Sequence, residues 1–189
     1  ASGAVEVKAG SAEAGAGGAV RITAGSGRTA GELSLSAGSS TSSTGGDVAI
    51  SSGAGAGEFA SGDMRLSTSS SGSHGGSGEV VLSSGDASMG PVGAVRVLGG
   101  QGLQSSGGDV EVLAGSGGQT GGDVMMSAGT GATGGDIAVQ SGSSTLETGR
   151  SGAVTIASSD ASVSGEVKLQ SGSSSVGSSG AVRVTTGDA

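Results

Sequence analysis

Cysteine, tryptophan, tyrosine and asparagine are absent from this 189-residue chain, and Phe59 and Pro91 are each the only residue of their kind. Without cysteine there is no disulfide stapling and no thiolate metal site, and the redox compartment stays open. Without asparagine, N-linked glycans have no acceptor, although Ser/Thr-rich loops still admit O-linked sugars. With one aromatic residue there is no stacking platform for bases or sugars and no core of large side chains. Cations are also scarce: Lys8, Lys168 and six scattered arginines stand against 16 acidic residues, giving a net charge of −8. That balance excludes nucleic acid, whose phosphates need clustered Lys and Arg. No apolar run approaches the roughly 18 residues of a membrane span. The chain has no N-terminal Met and no signal-like segment, so it reads as a mature product or an excised fragment.

What the chain does have is 44 glycines and 39 serines. At that level, glycine and serine without a period read as low-complexity disorder. Here there is a period. Thirteen units align on Gly3, Gly18, Gly31, Gly46, Gly62, Gly78, Gly93, Gly108, Gly122, Gly135, Gly152, Gly165 and Gly180, at intervals of 13 to 17 residues. After the glycine comes Ala, Asp or Glu, then an apolar residue, and two positions later a second apolar residue, as in Val110-x-Val112. Two positions further the residue is always Ala, Ser, Thr or Gly, and a glycine follows it in 11 of the 13 units.

Period 2 is the pattern of a strand with one covered face. The residues between, such as Glu6, Arg21, Arg65, Arg96, Glu111, Lys168 and Arg183, belong on the wet face. The bounding glycines are read as corners that need positive φ, with the neighbouring Asp or Glu able to hydrogen-bond backbone there. Length variation falls in connecting pieces such as "SSTSSTG" and "SSTLETGRS", where it costs little, and not within the alternation, where one slip would invert the faces. Thirteen stacked strands predict an all-β fold, a parallel β-solenoid (β-helix) of ~15-residue repeats with strands about 4.8 Å apart, spanning 1–189 as one array. Two repeats per coil is the preferred winding, because it sets apolar strips face to face. One repeat per coil also fits, since Ala14, Met89, Leu146, Val163 and Val176 share an offset of eleven from the key glycine. An antiparallel meander sandwich is the third arrangement.

No unit stands out chemically. His74 lies in the glycine-flanked loop "SSSGSHGGSG", with nothing to hold it as a catalytic base. Asp47, Asp63, Asp109, Asp123 and Asp136 are weak calcium candidates: stacking would bring carboxylates together, but Ala or Glu replaces Asp in other units. A glycosidase or lyase would need sugar-stacking aromatics, and no Gly-Lys-Ser/Thr phosphate loop occurs. No catalytic or cofactor-binding residue is therefore assigned, and the chain reads as a non-enzyme.

The strings "GGDVAISSG", "GGDVEVLAG" and "SGAVTIASS", joined by Ser/Gly tracts, resemble the Gly/Ser-rich β-solenoid repeats of microbial adhesins and of fibre-like surface proteins of algae and other protists. The resemblance implies an elongated solenoid with a structural or adhesive role outside the cell or at its surface. Both ends, "SGAVEVKAG" and "SGAVRVTTGDA", carry the full pattern without a polar cap, which suggests a longer array or ends that pair with other copies. The leading expectation is a segment of an extracellular filament that self-associates by strand stacking. The alternatives are an adhesin stalk and an ice-binding β-solenoid.

Overall fold

With the aligned glycine as position 0, every repeat divides into an invariant arm, positions 0 to +7, and a connector. The thirteen arms are 3–10, 18–25, 31–38, 46–53, 62–69, 78–85, 93–100, 108–115, 122–129, 135–142, 152–159, 165–172 and 180–187, arm 1 to arm 13 in chain order. A computed structural model describes residues 3–187. Ser2, Asp188 and Ala189, on which part of the uncapped-end expectation rests, lie outside the described residues.

Within the arms the backbone runs without a bend or turn; every bend and turn lies in a connector. The arms differ little in sequence class, whereas the connectors range from five residues (26–30) to nine (143–151). Polar, glycine-rich connectors absorb length changes that an alternating arm cannot, because its faces would invert.

The ends of successive arms meet in a recurrent junction. In eight of the twelve, the N–H of the next key glycine donates to the carbonyl of the preceding +7 glycine, at 2.8–3.0 Å, as in Gly18 to Gly10 and Gly122 to Gly115. Two of the four junctions without this bond are those where serine, Ser69 or Ser159, replaces the +7 glycine. At the first of them the Thr68 hydroxyl donates to the Gly78 carbonyl instead, at 3.2 Å. Two units divide the chain, Ala1–Val95 and Arg96–Ala189. Four of the hydrogen-bonded junctions fall in the first and four in the second.

The β-solenoid expectation is overturned. Among the described residues there is no helix, no β-strand and no sheet, and no residue is buried. The antiparallel meander fails with it, and the physical reason lies in the junction. A hydrogen-bonded antiparallel pair sets its two residues directly opposite, and the pairing then continues outward one residue at a time. From Gly10 opposite Gly18, Lys8 would face Val20 and Val7 would face Arg21. Opposite residues share a face. At this junction, and likewise for Ile50 with Arg65 and Val97 with Glu111, a ladder grown outward would set apolar against charged positions, and only the one bond forms.

The corner glycines also play a different part from the expected one. Among the described residues only Gly15 (φ 149°) and Gly57 (φ 59°) have positive φ, and both lie in connectors. The key glycine instead packs closely on the preceding arm, tightly so at Gly18, Gly31, Gly78 and Gly108, while Gly93 and Gly180 have open space around them. A Cβ placed on it would lie 3.2–3.9 Å from the +6 side chain of the preceding arm at nine junctions, Ala9 against Gly18 being the tightest. Ala9, Ala24, Ala128, Ser141 and Ser171, all at +6, are half-buried, as among the other described residues only Gly102 is. In arm 7, where +6 is Gly99, a Cβ would collide with the Gly108 carbonyl oxygen, so there even alanine is excluded.

Candidate functional site: the uncharged face of the arms

Positions +2, +4 and +6 carry no charge in any arm. The first apolar residue, at +2, is 49–60% exposed in arms 2 to 13, and the second, at +4, is 64–88% exposed. The +2 side chain lies nearer the preceding junction than the +4 side chain does. Val110 Cγ2, for instance, would lie 3.7 Å from a Cβ on Gly99. In arm 1, the first described arm, Val5 is 93% exposed. The +2 side chains stay equally shielded at junctions lacking the glycine–glycine bond, such as Val80 and Val182, so that bond is not what shields them.

The connector residues expected to form a second inner strip do not form one. Met89 is 100% exposed, and Leu146, Val163 and Val176 also lie in solvent. The repeated site is therefore a row of short apolar faces, each half-shielded near its junction and open at its far end.

The other face holds the charges. Position +1 is acidic in eight arms, and +3 carries Glu6, Arg21, Arg65, Arg96, Glu111, Lys168 and Arg183. Alternation places +1 and +3 on the same side, and in arm 5 they meet: Arg65 donates to Asp63 at 2.6 Å, both side chains well exposed. An exposed ion pair of this kind contributes little to stability. Asp47, Asp109, Asp123 and Asp136 are likewise exposed. None of the acidic side chains accepts a backbone hydrogen bond among the described residues, contrary to the corner role expected of them. Nor do three His, Asp or Glu side chains converge there into a group able to hold a metal ion. Calcium needs six to eight oxygens from converging ligands, and stacking, which was to bring these carboxylates together, does not occur within the chain.

His74 shares a 2.9 Å hydrogen bond with its neighbour Ser73 through Nδ1, in an exposed turn. No carboxylate takes part in that contact to orient the ring, as a nucleophilic serine–histidine pair requires. Serines shape three connectors: Ser40 Oγ accepts the Ser43 N–H at 2.8 Å, Ser144 Oγ the Leu146 N–H at 3.1 Å and Ser174 Oγ the Gly177 N–H at 3.0 Å. Such side-chain turns are the local alternative to ladder pairing that serine offers the backbone. The described residues form no cavity, and none of their helices is long and apolar enough to cross a membrane.

The open uncharged face, repeated along the arms, is thus the one feature common to all the repeats that could engage a partner. No family model matches the chain, and neither does any curated protein or solved structure.

Proposed function

We propose that the chain is a structural segment of an extracellular filament, assembled by strand pairing between copies through the uncharged faces of the arms. The observation that carries this reading is the exposure of those faces: every large apolar residue at +2 and +4 is at least 49% exposed. Contiguous apolar surface on a soluble chain marks an interaction site or an aggregation hazard. The arms also present N–H and C=O groups with no ladder partner, a template for pairing with another strand. A second copy suits this surface because it brings the same spacing of apolar residues and the same absence of charge.

The charged +1 and +3 positions would keep the opposite face hydrated, and the Ser/Thr connectors offer hydroxyls for O-linked sugars. Both features suit a filament outside the cell. Electron microscopy of the purified chain over a concentration series, with and without chelator, tests the proposal. Filaments with a repeat near 4.8 Å are expected in both conditions; separate molecules at every concentration would overturn it.

A further inference from the structure

We infer that the arms of two copies pair antiparallel about position +4, with +2 of one arm opposite +6 of the other. This rests on the proposed self-association and specifies its geometry. Within one chain, the junction fixes the register at key glycine opposite +7, so inner positions fall opposite outer ones and the ladder stops. A second copy is free of the connector and can take the register forbidden to the neighbouring arm.

Among the antiparallel registers that keep the uncharged faces together, pairing about +4 is the one in which all three inner positions of both arms are matched. It sets the large +2 residue against the small +6 residue, as Val124 against Ala128, and the +4 residue against its counterpart, as Val112 against Met126.

Charge selects the same geometry. Pairing about +4 places each +3 residue opposite a +5 residue, and +5 is uncharged in every arm except arm 1, where it is Lys8. It places each acidic +1 opposite +7, which is glycine in 11 arms and serine in the other two. Parallel, in-register pairing would instead set acid beside acid at +1 in the eight acidic arms, and like charges directly opposite are destabilising. Antiparallel pairing about +3 would set Arg65 beside Arg65, or Glu111 beside Glu111, wherever identical arms meet.

The absence of native cysteine makes the register readable by cross-linking. One variant carries cysteine at +2 of three arms (Val110→Cys, Val124→Cys and Ile137→Cys). The other carries it at +6 of the same arms (Ala114→Cys, Ala128→Cys and Ser141→Cys). Separate chains are used so that a mixed +2/+6 disulfide can form only between copies. After co-assembly, oxidation and mass-spectrometric mapping, mixed +2/+6 disulfides between copies are expected to exceed +6/+6 disulfides at least several-fold. Predominant +6/+6 disulfides would establish parallel pairing and overturn the inference while leaving self-association intact. Assembly without enriched mixed disulfides would overturn the register alone. If the unsubstituted chain shows no assembly by sedimentation, the proposed function falls together with the register.

Discussion

Replacing Val112 by aspartate separates an interface role from a folding role. Val112 is 71% exposed in the single chain, so little of its apolar surface is covered by the chain's own atoms. Full burial of a valine side chain contributes about 1.5–3 kcal/mol. The exposed share corresponds to about 1–2 kcal/mol still obtainable from a partner, or roughly a 5- to 30-fold change in an association constant. An unpaired carboxylate at the contact adds a desolvation penalty. The expected result for Val112→Asp is therefore at least a ~5-fold rise in the concentration at which assemblies sediment, with the circular dichroism of the dilute chain unchanged. Glu111→Gln, one position away on the wet face, serves as the control and should shift that concentration by less than ~2-fold, as surface substitutions usually do. Equal effects of the two variants, or loss of dilute-chain structure in Val112→Asp, would refute the reasoning.

The net charge of −8 opposes association at long range. Raising ionic strength from 0.01 M to 0.15 M, which shortens the screening length from about 30 Å to about 8 Å, should lower the sedimentation threshold. Chelator should leave that threshold unchanged, because among the described residues no three potential ligands converge; a loss of assemblies on chelation would contradict this. At the junction, Gly18→Val puts side-chain atoms where even a Cβ would be 3.2 Å from the Ala9 Cβ and 3.3 Å from the Gly10 N. It should open the Gly18–Gly10 closure, seen as loss of nuclear Overhauser contacts between these residues, whereas Gly25→Ala, with open space around it, should preserve the neighbouring closure. Inserting Gly-Ser into the nine-residue connector 143–151 should leave assembly intact, while one residue inserted between Glu111 and Val112 inverts half of arm 8 and should weaken assembly as Val112→Asp does.

The alternation Val110-x-Val112-x-Ala114 made the faces of an arm legible, and the changing lengths of pieces such as 143–151 marked the connectors. What period 2 does not encode is the partner. The same pattern serves a strand covered by its own chain and one that awaits another copy. The junction register decides between them, and it appears only when Gly18 is seen bonded to Gly10. The constant small residue at +6 was visible in all thirteen units, but it suggested an inward-facing core position. At nine junctions its neighbour is the next key glycine, which packs against it without a positive φ. The aspartates were expected to draw together only if the arms stacked, so their separation follows from the same correction.

The central claim is that one chain leaves the faces of its arms uncovered and that other copies cover them. Amide hydrogen exchange, resolved to individual arms and compared between dilute chains and sedimented assemblies, tests it most directly. The account predicts near-random-coil exchange at Val110 to Leu113 and the equivalent positions in dilute chains, and strong protection there after assembly. Strong protection in dilute, monomeric chains would show that the arms already pair within one molecule, and would contradict the account.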